Sequence, residues 1–537
     1  MISALQHPAL SSRLADPLWR LQHLYWIENK AGHLQRFAPN AAQMKLHSKL
    51  WHRNAILKAR QLGISTYVAM LILDRCLFTP NFHAGIIDKT LPDAEQKLAK
   101  IRFAWDHLDF MPPTPAPQDQ ALAMLGGLIK QSTGVNKRGE WRPTTDARDR
   151  LGFANGSDVR LGSNLRGGTL QLLHVSELAH VSVHAPWRAR DIRTGAINTV
   201  SSQGTIILES THEGGRYGVN YEMMLQAMEN IGKEDLSPLD FRFFFFSWFD
   251  HPDYSLAGSS QRGWGESLSA YFDALESDHG IRLSHGQKLW YARMQRTMGA
   301  AMKQEYPSSP HEAFSTGNDS AIYGRQISQL REQGRVGCAF AFKPDEPLYT
   351  AWDLGLSDHT AIWLVQHYGG QLYWLNHYSA NQLPVDHYLS KIHEWEQRYS
   401  PIATHFLPHD AAHRDPHGQS YVETLAAYGL RSVRVVPRTP DIWRGINSLR
   451  GLLLRSWFHR DTLEERINLR GEKEPSGLTC LEMYHSAPPS AGGAYREAPV
   501  HDQFSHSADA ARMFAEAWAH GMVEPPPGAS RPRLARM

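Results

Sequence analysis

The stretch Lys58-Ala59-Arg60-Gln61-Leu62-Gly63-Ile64-Ser65-Thr66 follows a short apolar run, turns at one glycine and enters a helical pattern. A strand, a tight turn and a helix start make an anion cradle from backbone N–H groups and the positive helix end. The usual phosphate-loop pattern G-x-x-x-x-G-K-[ST] is half present. Lys58 stands at the first glycine position, Ile64 at the usual lysine position and Ser65 at the hydroxyl that meets magnesium. A triphosphate site here needs a relocated cation. Lys58, Arg60 and Arg166 are the candidates, with Arg60 first because it lies inside the loop. Glu177 follows the apolar run 169–175, where a water-orienting carboxylate belongs. The residue before it is Ser176 rather than the expected aspartate. Ser210 and Thr211 close the next apolar run, 204–209.

A second set of oxygen ligands lies downstream. Asp353 ends an apolar run in Ala351-Trp-Asp-Leu-Gly-Leu-Ser-Asp358, Asp410 ends another in Leu407-Pro-His-Asp410, and Asp509 opens the last helical pattern. Carboxylates brought together from such segments can hold two divalent ions that activate water and stabilise a leaving phosphodiester oxygen. Oxygen ligands suit Mg²⁺ or Mn²⁺. Asp358, Asp502 and His506 are secondary candidates. Aspartates also cap turns and helices, and Asp509 fits that use.

These residues need elements to hold them. Residues 1–30 read as one amphipathic helical segment. Phe37-Ala-Pro-Asn40 reads as a turn, with Gln43 entering a helix. From there strands and helices alternate, which predicts a parallel sheet with crossover helices. Residues 131–150 read as a polar surface loop, and 153–161 as a hairpin turning at Asn155-Gly156. Residues 266–334 read as a helical connector. A new domain opens near 335 with a strand, a hairpin turning at Gly369-Gly370, a helix, two more strands and a final helix from 507. Residues 523–537 read as a disordered tail. The expected division is 1–30, 31–265, 266–334, 335–522 and 523–537.

Composition sets limits. Net charge is +2, so a nucleic-acid partner must meet a local patch rather than a global field. From Arg431 to Arg470 there are nine arginines against four acids, a local excess of five. That stretch is either a solvated helix face or a phosphate-contacting surface. The three cysteines are far apart, with no metal or disulfide spacing, as in a reducing cytosol. No apolar run reaches a membrane span.

The loop 58–66 resembles the deviant Walker A loop of the large terminase subunits of tailed bacteriophages, the motors that package DNA. Asn164-Leu-Arg-Gly-Gly168 followed by Val175-Ser-Glu177 is similar to their approach into Walker B. Glu209-Ser-Thr-His212 is similar to their coupling motif, and 37–43 to their adenine-contacting segment. Asp-x-Gly-x-x-Asp, a hairpin, a strand ending in Asp and a helix with Ala-Asp-Ala are similar to their nuclease domain. The resemblance spans about 20–520, with the motifs in order. It implies a P-loop ATPase domain with a parallel-rich sheet, followed by a ribonuclease-H-like nuclease domain. It implies Glu177 as the catalytic glutamate with Arg60, Gln43 and residues 58–66 binding ATP with Mg²⁺. Ser210 and Thr211 would couple hydrolysis to movement, and Asp353, Asp410 and Asp509 would bind two Mg²⁺ or Mn²⁺. It further implies double-stranded DNA, a portal protein and a small terminase subunit as partners. The expected assembly is a homo-oligomeric ring, in the host cytoplasm and transiently on the procapsid portal, absent from the mature virion. Two other readings stay open: a helicase-nuclease of repair or defence, and a decayed prophage protein that hydrolyses nothing.

Overall fold

The computed structural model describes residues 8–134, 141–213, 215, 217–257, 263–299, 301–315, 321–340, 342–355, 359–414, 418–467, 473–486 and 499–523. The chain forms two compact units, Met1–Thr316 and Gly317–Met537.

The first unit does not begin with a single helix. Pro17 opens a second helix after Pro8–Ala15, and the Asp16 side chain accepts from Leu18 N at 2.9 Å. Proline has no N–H to lose at a first helical turn. The chain then extends as β1 (Trp26–Glu28) against β2 (Leu34–Arg36). The main sheet follows from β3 (Arg53–Lys58), β4 (His83–Ile87), β5 (Thr145–Asp146), β6 (Arg150–Gly152), β7 (Asp158–Leu161), β8 (Leu170–Ser176), β9 (Val200–Ser210) and β10 (Phe241–Phe246). Its order is β10-β3-β9-β8-β4-β7-β6-β5. Pairing is parallel from β10 to β7 and antiparallel at β6 and β5. The sheet is α/β and parallel-rich, as expected, with β9 inserted between the loop strand and the Glu177 strand. The loop expected over 131–150 is instead partly strand, because β5 and β6 extend the sheet edge beyond β7. The Asn155-Gly156 hairpin is present, and its strands run from Arg150 to Leu161.

Strand alternation sorts the core. Leu172 and Ile207 join a cluster with the helices α1 (Ile64–Phe78) and α2 (Leu91–Asp106). Leu173, Val175, Ile206 and Leu208 join the cluster on the opposite face. The segment expected as a connector is divided. Its first four helices lie within the first unit. Phe272, Leu275, Trp290, Tyr291, Met302 and Tyr306 are buried in the α1 core, and Trp248 stacks on Trp290 at 5.3 Å. Ala313 and Phe314 pack with Ala55 and Leu57 of β3. Beyond Gly317 the chain belongs to the second unit, where Ile327 and Leu330 are buried.

The second unit is built on β11 (Val336–Cys338), β12 (Leu348–Asp353), β13 (His359–Tyr368), β14 (Gln371–Asn381), β15 (Ile402–Leu407), β16 (Val433–Val435) and β17 (Ser456–His459). The order is β11-β17-β14-β13-β12-β15-β16. β13 is antiparallel to both neighbours, while β12, β15 and β16 are parallel. The run β14-β13-β12-β15-β16 is a ribonuclease-H-like sheet. Gly369 and Gly370 both take positive φ, 58° and 72°, as a two-residue hairpin turn requires. The last helix, α3 (Ser505–Ala519), packs one face; helix Val385–Arg398 packs the other. Of the expected tail, only Val523 falls within the described residues.

Candidate nucleotide site and candidate nuclease centre

Parallel strands open their C-terminal ends on one edge, and the first site forms there. Gly63 has φ +77° and stands at the N-cap of α1, a conformation that glycine adopts without strain. A Cβ at Gly63 would stand 2.7 Å from Gln43 Nε2. Asn40 and Gln43 form a capping box at the preceding helix, Ala41–Ser48. Their free amide groups brace the loop: Gln43 Nε2 donates to Gly63 O at 2.7 Å and Asn40 Nδ2 to Leu62 O at 3.1 Å. Gln43 is thus buried against the loop backbone. Gln61 also takes positive φ, 53°, so the turn between Lys58 and α1 twice enters the left-handed region.

Lys58 is buried with Nζ 3.1 Å from Glu209 and 3.4 Å from Glu177. Burial pushes its ammonium pKa down, but Glu209 and then Glu177 outweigh that and hold it above the usual lysine value. Glu177 itself has φ 56°, a left-handed conformation that costs a non-glycine residue about 1 kcal/mol or more. Such strain is typical of functional positions. Ser210 Oγ and Thr211 Oγ1 donate to Glu177 Oε2 at 3.4 and 3.3 Å. The expected coupling pair therefore touches the expected catalytic glutamate.

Arg60 behaves differently from Lys58. Its side chain is over half exposed and pairs with Glu305 at 2.9 Å, while its N–H donates to Glu305 O at 2.9 Å. Burial raises the Glu305 carboxyl pKa, against the pull of Arg60. Arg60, Ser65, Lys97, Lys100, Glu177 and Thr211 are among the residues lining an open cleft of about 900 Å³, solvent at its mouth included. Lys97 pairs with Asp88, and Lys100 donates to Thr66 Oγ1 at 3.1 Å. Arg166 pairs with Asp191 at 2.6 Å and does not line the cleft.

Sequence reasoning placed Glu209 only as the first residue of the 209–212 motif, with no role of its own, and passed over Lys97 and Lys100. Glu209 is fully buried at the end of β9, in register with Ser176. Its Oε1 accepts from Ser65 Oγ at 2.6 Å and Ser176 Oγ at 2.8 Å, and meets His174 Nε2 at 3.3 Å. Burial favours its neutral form, but Lys58 first and then His174 hold its pKa well below the usual carboxylate range. A glutamate at a strand end beside a serine was the only sequence signal. Nearby, His180 and His184, one helical turn apart, meet Glu213 at 3.0 and 2.7 Å. Burial opposes the Glu213 charge, yet the two histidines bring its pKa down to about 2.

In the second unit Asp353 ends β12, and Asp410 lies three residues beyond the end of its parallel neighbour β15. Both therefore stand at one sheet edge. Asp353 Oδ2 meets His506 Nδ1 at 3.1 Å. Burial raises the Asp353 pKa, His506 opposes this, and the charge of Asp509 adds to it. Asp509 lies in the second turn of α3, because the helix starts at Ser505 rather than 507. It accepts from Arg512 at 3.0 Å and from Tyr484 OH at 3.2 Å. Asp410 is exposed in the turn after β15. Asp502 caps the turn before α3, accepting from Phe504 N at 2.9 Å. Asp358 lies outside the described residues. Three carboxylates and a histidine thus lie around this end of the sheet, while among the described residues the group of three such ligand atoms lying within 4.8 Å of one another is His180, His184 and Glu213 of the first unit. Several arginines of 431–470 bond within the unit: Arg434 to Met522 O, Arg450 to Ile322 O and Arg466 to His377 O.

No family model and no curated protein matches the sequence. Solved structures do match. The chain is similar to the large terminase of a thermophilic bacteriophage in complex with ATP-gamma-S, at 13% identity and TM-score 0.30, over 89% of this chain and 98% of that one. It is similar to the large terminase ATPase domain of Thermus phage P74-26 at 17% identity and TM-score 0.29, over 50% and 93%. It is similar to the large terminase nuclease domain of bacteriophage SPP1 with bound Mn at 11% identity and TM-score 0.22, over 32% and 85%. The structures it resembles are thus large terminases, in both their ATPase and nuclease domains. Identities and TM-scores this low carry no residue roles across. Among the described residues no helix is long and apolar enough to cross a membrane.

Proposed function

We propose that the chain is a large terminase subunit: an ATP-driven motor that moves viral double-stranded DNA into a procapsid, joined to a metal-dependent endonuclease that cuts concatemeric DNA. One observation supports this most: Lys58, Ser65, Glu177, Ser210 and Thr211, from three separate segments, converge at one sheet edge. In that arrangement the loop N–H groups and Lys58 hold the phosphates. Glu177 accepts a proton from the attacking water and orients it. Ser210 and Thr211 sense whether Glu177 has moved, because both donate to its Oε2. A magnesium ion bound with ATP would neutralise phosphate charge, and Ser65 is the hydroxyl that would hold it. Lys58, paired with two carboxylates, is better placed than Arg60 as the resident cation. Arg60 reaches the cleft from its rim, where Glu305 holds it.

In the second unit Asp353, Asp410 and Asp509 would hold two divalent ions, which supply an activated water and stabilise the leaving oxygen. His506 would orient Asp353. The partners proposed are duplex DNA, a portal protein and a small terminase subunit, with the chain forming a homo-oligomeric ring on the procapsid in the host cytoplasm. The test is ATP hydrolysis by the purified protein with and without duplex DNA. DNA-stimulated turnover without strand displacement is the expected result. Unwinding would favour a helicase-nuclease, and absence of hydrolysis would overturn the motor reading.

A further inference from the structure

Ser176 stands where a phosphate-loop ATPase ordinarily carries an aspartate, and serine cannot hold charge. The missing carboxylate has a spatial replacement. β9 lies between β3 and β8, so its penultimate residue, Glu209, lies beside both the loop strand and Ser176. Glu209 is in register with Ile56 on one side and Ser176 on the other. It shares strand parity with Ile207, whose side chain joins the α1 core, so its own side chain points toward the loop helix. The bonds agree: Oε1 accepts from Ser65 at 2.6 Å and from Ser176 at 2.8 Å, while Oε2 lies 3.1 Å from Lys58 Nζ.

We propose that Glu209 is the positioning carboxylate of the magnesium site, taking over from the strand of Ser176. The proposal rests on the ATPase reading of this cleft. By accepting the Ser65 hydroxyl hydrogen, Glu209 turns a Ser65 lone pair outward to a divalent ion. The longer glutamate side chain reaches from the neighbouring strand what a shorter aspartate would reach from position 176. Serine at 176 is the complement of this arrangement. It donates to Glu209, whereas an aspartate there would set two carboxylates within about 3 Å, which disfavours the charge of both.

The experiment measures binding of a fluorescent ADP analogue to the full chain, with Mg²⁺ and with EDTA. The wild type should bind more tightly with Mg²⁺. Glu209→Gln keeps the shape and one acceptor but loses the charge. The gain from Mg²⁺, taken for each variant as the ratio of its own affinities with Mg²⁺ and with EDTA, should fall by about tenfold to a hundredfold, the cost of losing an outer-shell ligand partner. Ser176→Asp alone should also lose the gain, through repulsion with Glu209. Ser176→Asp with Glu209→Gln should recover it, because one carboxylate is again present. Thermal melts of each variant separate loss of metal response from loss of fold. Should Glu209→Gln fail to fold, recovery by the double variant still decides the matter. A full Mg²⁺ gain in Glu209→Gln, or no recovery in the folded double variant, overturns the proposal. A wild type that binds no nucleotide overturns the ATPase reading itself.

Discussion

Lys58 and Arg60 are two residues apart and have opposite circumstances. Lys58 is enclosed by carboxylates, and Arg60 is held at the rim by one. Removing Lys58 leaves Glu209 buried, and Glu177 at the cleft wall, without the cation they share. Lys58→Ala should therefore abolish ATP hydrolysis and lower stability by about 3 kcal/mol, read by urea denaturation. Arg60→Ala should slow turnover while leaving the denaturation midpoint within error, since the side chain is over half exposed. Equal stability losses in both variants would contradict this assignment. The trio of His180, His184 and Glu213 gives a pH prediction. The bond to Glu213 raises the His184 pKa above its ordinary 6.5, so its contribution is full below that value and is lost as pH rises through the folded one. Glu213 is brought down to about 2 from an ordinary 4.5, so its contribution is present above 4.5 and lost as pH falls toward 2. The two overlap between 4.5 and 6.5. His184→Ala should cost most stability near pH ~5.5 and progressively less as pH rises above 6.5.

At the scale of elements, the loop is shaped by its neighbours as much as by its own residues. The helix Ala41–Ser48 gives up Asn40 and Gln43 amide groups to the carbonyls of Leu62 and Gly63. Gln43→Ala would remove that brace and open the capping box, costing about 1–2 kcal/mol. It should also weaken nucleotide binding, measured with the same fluorescent ADP. Unchanged affinity would show that the loop holds its form without the brace. Gly63 has less latitude: its positive φ strains any Cβ, and the Gln43 amide 2.7 Å away would have to move off the Gly63 carbonyl to admit one.

At the scale of the molecule, the division near 316 sets what can fold alone. A chain ending at 265 lacks Phe272, Trp290, Tyr291 and Tyr306 and would expose the face of Trp248. Residues 1–316 should be soluble, melt cooperatively and hydrolyse ATP; residues 1–265 should aggregate. The two chemistries should also separate by mutation. Asp353→Asn in the full chain should abolish metal-dependent cleavage of duplex DNA and keep ATP hydrolysis at the wild-type rate. Loss of both activities would contradict the assignment of one chemistry to each unit.

Local patterns determined much of this. Strands that alternate with helices, a hairpin marked by Gly369-Gly370 and a loop marked by Gly63 were legible because their causes are local: side-chain period, turn geometry and φ. Glu177, Ser210 and Thr211 were legible as strand ends in order. The reach of 266–316 into the first core was not, because helical periodicity shows an apolar face and not what covers it. The different surroundings of Lys58 and Arg60 were not legible either, since in the sequence they are two cations two residues apart. Glu209 was hidden for the same reason. Its neighbours Ser65 and Ser176 are 144 and 33 residues away in sequence. Only the insertion of β9 between β3 and β8 puts a carboxylate where the sequence shows a serine.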